Sequence, residues 1–274
     1  MNLKHLLLTL LTALIACSPA QSNDNSPRFA SSVVGTDFDF ILDTDPSTFL
    51  CLEYKGQRTR EMPDKTSKDA LFQPAFVFMS YYDDGTSIDM ALDIDFADET
   101  TAREEALRYV PRLGKLPTLL RQDIERLVIH KGNPDATAFS DIGLIVVYSD
   151  NATKRISTHD LEETIFHESV HASLDEPYAG SAAWLDAQAS DSAFATNYAS
   201  ENPEGEDLAE SALFAYTLIH HPERIPEDDA TWLRNTIPAR IAFIETLLPG
   251  DEPIFKQMAP EYPCDGSGDT FTIN

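Results

Sequence analysis

The stretch Thr164-Ile165-Phe166-His167-Glu168-Ser169-Val170-His171 constrains this chain more than any other. It sets an HExxH pattern inside an apolar run, and on a helix residues four apart lie on one face, one turn apart. His167 and His171 would then present two imidazoles to a single point, with Glu168 beside them. Ile165, Phe166, Val170 and Ala172 crowd the motif with small and apolar side chains. This predicts a helix buried at the centre of a domain. Two imidazoles so spaced can hold one zinc ion, and the adjoining glutamate can take a proton from a bound water. The structural alternative is a core helix with two incidental histidines. It is disfavoured because a buried His-Glu-His cluster with no cation is costly to satisfy. Thr158 or Asp160 can cap the helix, Asp160, Glu162 and Glu163 bring negative charge to its first turn, and Pro177 and Gly180 are expected to stop it.

A catalytic zinc keeps three protein ligands and an open position. Six residues beyond His171, where a metzincin would carry a third histidine, stands Pro177, and the next histidine is His220. Acidic candidates lie in Asn202-Pro203-Glu204-Gly205-Glu206-Asp207-Leu208-Ala209-Glu210, which reads as the opening of a second helix running through Leu213, Phe214, Tyr216 and Leu218. Glu206 and Glu210 are one turn apart. Glu206 is read as the ligand and Glu210 as the carboxylate that holds a ligand histidine by its other ring nitrogen, with the reverse assignment open. Two solvated glutamates at a helix start, favoured there by the dipole, are the plain alternative.

His167-Glu168-Ser169-Val170-His171, then Tyr198 in Asn197-Tyr198-Ala199, then Glu206-Asp207-Leu208-Ala209-Glu210, together resemble the gluzincins related to the anthrax-toxin lethal-factor catalytic domain. That family pairs HExxH with a tyrosine and a later E-x-x-A-E helix. The resemblance spans residues 115–220, with an extra residue between tyrosine and glutamate here. It implies zinc ligands at His167, His171 and Glu206, a catalytic glutamate at Glu168 and a tyrosine near the metal at Tyr198. It also implies a zincin-like fold, in which a sheet edge lies above the metal helix; Ala138–Ser140 is the candidate edge.

Lys4 and His5 precede an apolar run from Leu6 to Ala16, too short to span a membrane as a mature helix. Its end, Leu14-Ile15-Ala16-Cys17, resembles a bacterial lipobox, so residues 1–16 are expected to be a lipoprotein signal peptide and Cys17 the lipidated residue. A secretory signal cleaved near Ala20 is the alternative. Ser18 after the cysteine points, by the usual sorting rule, to the outer membrane, and so to a periplasmic or surface-facing envelope protein. The polar, Pro/Ser/Asn-containing residues 17–32 read as a flexible tether. The formal net charge of -26 argues against nucleic-acid binding and disfavours docking of the domain on anionic lipid. Cys51 and Cys264 remain. In an oxidising compartment they can form a disulfide tying the C-terminal tail to the N-terminal strands; a buried free thiol at Cys51 is equally compatible.

Between 33 and 97 strand signals dominate. Phe38, Phe40 and Leu42 alternate with mostly acidic neighbours, and Ala75–Tyr82 and Ser87–Phe96 flank an Asp83-Asp84-Gly85-Thr86 turn. The strict alternation of Ile88, Met90, Leu92, Ile94 and Phe96 predicts a sheet with one wet face, either a separate lobe or an extension of the catalytic sheet. Helices are expected over 99–113, from Pro117 through Leu127, over 182–198, and from Pro226 to Leu248 with a break near Pro238. Gly143–Tyr148 reads as a buried strand entering the metal helix by a loop. His130, His159, His220 and His221 are read as local rather than ligating. The fold class is thus α+β: a zincin-like domain over 98–274 (small mixed sheet, active-site helix, helical C-terminal lobe) behind a β-rich region over 33–97. The expected function is a Zn2+-dependent, membrane-tethered peptidase acting on peptide or protein substrates. A non-catalytic zincin-shaped binding lipoprotein and a metal-dependent amidase of cell-wall peptides are the competitors.

Overall fold

The computed structural model describes residues 26–65, 72–259 and Cys264; the expected signal peptide and Cys17 lie outside them. Among the described residues no helix is long and apolar enough to cross a membrane. The fold is α+β. Strands β1 (Phe49–Glu61), β2 (Phe72–Tyr82) and β3 (Ser87–Asp93) form an antiparallel meander. Helices α1 (Glu99–Ala106), α2 (Val110–Leu113) and α3 (Thr118–Arg121) then lead to β4 (Arg126–His130), parallel to β3. Strands β5 (Phe139–Asp141) and β6 (Leu144–Tyr148) follow, and the sheet order is β1-β2-β3-β4-β6-β5. The strands of residues 33–97 therefore extend the same sheet as β4 to β6, with no break in pairing near residue 97.

The β2–β3 turn forms as its sequence predicts, with Gly85 at φ +84. Asp84 is drawn inward by it: its carboxylate accepts from Thr86 N and Oγ1, from Thr118 and from the fully buried Arg121. Burial acts to raise the Asp84 pKa, but Thr118, Arg121 and Thr86 outweigh it and hold the carboxyl below its ordinary value. Arg121 also donates to the Leu113 and Leu116 carbonyls and lies over Tyr82, so one cation joins the hairpin to the turns around α2 and α3. Ile88, Met90 and Leu92 face the main core, as their alternation predicts. The opposite face is less wet than expected. Ala75, Val77, Ala91, Val128 and Val146 form a second small core with Met62 and Tyr148. Asp89 on that face pairs with Arg60.

Several boundaries differ from the sequence reading. The alternation ends at Asp93, whose side chain caps a 3-10 turn over Ile94–Phe96. Pro111, which has no N–H to donate, starts a separate short helix rather than completing α1. Leu127, expected at a helix end, is in β4. Residues 38–42 are not a strand. The N–H groups of Phe40 and Ile41 both donate to Glu163 Oε1 at 3.1 Å, so a buried carboxylate replaces a ladder. The tether is shorter than 17–32: Phe29 stacks on Phe214 with centroids 5.0 Å apart, and its backbone bonds to Ala195 and Asn197. One aromatic residue in a polar segment is enough to anchor it. Cys51 and Cys264 are joined by a disulfide, tying β1 to the C-terminal tail.

After β6 comes a helix rather than a loop, α4 (Ser149–Ser157), and then α5 (Leu161–Leu174), which carries HExxH. Every residue of α5 except His171 is buried, its polar side chains included. Asp160 stands at its N-cap, but spends its carboxylate on Arg155 and Thr158 rather than on the helix. A π-helical turn over Asp175–Ala179 follows, ending at Gly180. The expected 182–198 helix is two, α6 (Ala182–Ser190) and α7 (Asn197–Glu201). The second long buried helix is α8 (Asp207–His220), and α9 (Glu227–Thr236) and α10 (Pro238–Leu247) close the chain with the break at Pro238.

Glu163 carries a testable electrostatic cost. Burial raises its pKa from 4.5 to about 8, against the opposing Ile41 N–H bond. The native state therefore binds a proton that the unfolded chain has released, and stability falls as pH rises from about 4.5 through about 8. Glu163→Gln keeps an acceptor oxygen without the charge. Its thermal stability is expected to gain on wild type progressively from about pH 5 to pH 8 and then level off. A pH-independent offset in thermal melts would refute this.

Candidate metal centre

The motif helix lays His167 and His171 one turn apart, with ring centroids 4.8 Å apart. Opposite them, α8 begins. Glu206 occupies its N-cap, where a carboxylate is favoured by the helix dipole. This start is fixed from below. Asp207, fully buried, accepts from Arg240 at 2.8 Å and Gln188 at 2.8 Å, and Arg240 also pairs with Asp191 at 3.0 Å. Glu206 Oε2 thereby lies 3.2 Å from His167 Nε2 and 3.2 Å from His171 Nε2, and the two Nε2 atoms are 3.2 Å apart. The three acceptor atoms form a nearly equilateral triangle. A point about 2 Å from each exists just off its plane, matching zinc–nitrogen and zinc–oxygen bond lengths. Among the described residues it is the one group of this kind.

The outer nitrogen of His171 is hydrogen-bonded, and that of His167 faces a carboxylate at ion-pair distance without a hydrogen bond. His171 Nδ1 pairs with Asp175 Oδ2 at 2.7 Å, which leaves Nε2 to face the triangle. Asp175 sits four residues after His171, one helical turn on, a spacing visible in the sequence. His167 Nδ1 is 3.5 Å from Glu210 Oε1. Glu210 is itself buried and accepts from Ser32 N at 2.7 Å and Ser31 Oγ at 3.1 Å. Nothing in the sequence pattern points to these serines, because they arrive from the N-terminal segment. Of the two assignments left open, the geometry puts Glu206 in the triangle and Glu210 behind His167.

The electrostatics reflect three polar groups crowded together. Burial works against a charged His171, but Asp175 and Glu206 overcome it and raise its pKa to about 10. Burial likewise opposes charge on Glu206, yet His167, His171 and Tyr198 hold its carboxyl far below the ordinary range. Tyr198 donates to Glu206 Oε1 at 2.8 Å, and burial together with that carboxylate pushes its hydroxyl well above the usual value.

Glu168 stays outside the triangle. Its Oε2 accepts from Ser140 Oγ at 2.6 Å, so β5 holds the glutamate toward the open side. These residues line one groove of about 700 Å³, bounded by β5, by Tyr198 and Glu201 of α7, and by Ala30–Val34. Among the described residues β5 is the edge of the sheet, paired only with β6, and it contains Phe139 and Ser140 of the expected edge segment. Of the large side chains on and after α6, Trp184 is buried in the core, Leu185 is exposed, and Phe194 lies against Arg240. His130 and His220 bond to the Pro63 and Leu248 carbonyls, away from the triangle. No family model, curated protein or solved structure matches the chain.

Removing a triangle atom and removing its support should differ. Glu206→Ala is expected to abolish stoichiometric zinc binding, whereas Glu210→Ala should weaken it about 10–100-fold. Competition with a zinc chelator reads both. Wild-type affinity in Glu206→Ala with loss in Glu210→Ala would exchange the two roles.

Proposed function

We propose that this chain is a zinc-dependent peptidase of gluzincin type with a zincin-like domain. The observation that carries the reading is the His167–His171–Glu206 triangle opening, beside Glu168, into a groove walled by a free sheet edge. An extended peptide can add to β5 as a further strand, which brings a backbone carbonyl over the triangle. A zinc ion held by these three residues would supply Lewis acidity toward that carbonyl and toward a water beside it. Glu168 then accepts a proton from the water as its oxygen bonds to the carbonyl carbon. It returns the proton to the amide nitrogen as the C–N bond breaks, so no net charge is left on the enzyme. Ser140 orients the carboxylate for both transfers. The Tyr198 hydroxyl, on the groove surface, can turn from Glu206 Oε1 to donate to the developing oxyanion.

The Cys51–Cys264 bridge supports an oxidising compartment. Together with the Ala16-Cys17 signal it supports a lipid-anchored envelope protein. The mechanism predicts that Glu168→Gln retains one zinc per chain while hydrolysis falls about 10²–10⁴-fold. Full activity in zinc-loaded Glu168→Gln would overturn it. Tyr198→Phe should lower kcat about 10²-fold with little change in KM. Offering casein and purified peptidoglycan side by side separates a peptidase from a cell-wall amidase.

A further inference from the structure

The charges along the groove are not evenly spread. Its lining contains the carboxylates of Asp141, Asp175 and Glu201 besides those of the metal centre, as expected in so acidic a chain. Apart from the two ligand histidines, its only cations among the described residues are Lys65 and Arg155. Both lie at one end. Lys65 donates to Thr137, just before β5, and its backbone N–H bonds to the Tyr148 hydroxyl at the end of β6. Arg155 pairs with Asp160 at 3.1 Å, at the start of α5, and its buried Nε has no partner. The other end, where Gly143 N bonds to Ala172 O near the close of α5, carries Asp141 and Asp175.

The direction of β5 turns this asymmetry into a substrate preference. β5 runs from the Lys65 end (Phe139) toward Asp141. Antiparallel addition is the more stable pairing, and it sends the C-terminal half of a bound peptide toward Thr137, Lys65 and Arg155. Resting on the peptidase reading above, we infer that the groove selects peptides carrying a carboxylate on the C-terminal side of the scissile bond, from Asp, Glu or a free C-terminus, received by Lys65 and Arg155. The same field disfavours acidic residues on the N-terminal side, where Asp141 and Asp175 would face them.

Binding tests this without requiring turnover. The zinc-loaded full-length chain carrying Glu168→Gln is titrated with fluorescent eight-residue peptides that differ only in Asp/Glu against Asn/Gln in the C-terminal half. Acidic peptides are expected to bind about fivefold tighter, with the advantage shrinking as salt rises. Lys65 is exposed, so Lys65→Glu should leave the fold intact and reduce or reverse the preference; Arg155→Gln should reduce it too. Equal affinities, no detectable binding of either peptide, or a preference untouched by both variants overturns the inference. Hydrolysis by the wild-type chain is scored separately. Charge-selective binding with no cleavage of any peptide would sink the peptidase reading alone, and cleavage without charge selectivity would sink this inference alone.

Discussion

The rest of the structure depends on one constraint: a helix rich in polar side chains is buried on almost every side. Each of those side chains needs a partner, because an unpaired polar group in the interior costs more than a hydrogen bond returns. Thr164 and Ser169 bond to carbonyls one turn back, and remote parts of the chain supply partners for the others. Glu162 is met by Lys115 and Arg112 at 3.0 Å each, Glu163 by the backbone at Phe40 and Ile41, and Ser173 by the Leu120 carbonyl. Glu168 is met by Ser140 of the edge strand, and His167 faces Glu210 of α8. Satisfying α5 therefore fixes the α1–α3 region, the N-terminal segment, the sheet edge and α8 around it.

Two buried arginines hold the frame to which these partners belong. Arg121 joins the β2–β3 turn to α3 through Asp84, and Arg240 joins α10 to the start of α8 through Asp191 and Asp207. Burying such pairs gives little net stability, but losing one partner strands the other charge in the core. Their contribution is geometric. Asp207 sits next to Glu206, so the cation that fixes Asp207 also sets how closely Glu206 can approach the histidines.

What could be read from the sequence was whatever repeats at a fixed spacing. The four-residue interval put His167 and His171 on one face, the two-residue interval put Ile88, Met90 and Leu92 in the core, and Gly85 marked its turn. Glu206 and Glu210 are visible as a pair, with Glu206 read as the ligand, but spacing alone leaves the two roles exchangeable, whereas the structure gives them separate positions. Those depend on Ser31 and Ser32, which lie far from α8 in sequence and show no periodicity. Residues 38–42 mimicked a strand because alternation records which side chains turn inward, not where the backbone donors go. Phe29 was lost within a polar composition for a similar reason: packing against Phe214 is a tertiary fact with no local signature.

The docking of Phe29 has a mechanical consequence. The N-terminal segment does not hang from the domain at a distance; it is stitched beside α7 and forms part of the groove wall. If Cys17 carries the lipid, only about a dozen residues connect the acyl chains to that stitch, a reach of at most about 40 Å. The leash would then leave the molecule beside the groove that holds the His167–His171–Glu206 triangle. It would confine the groove to a thin shell over the bilayer.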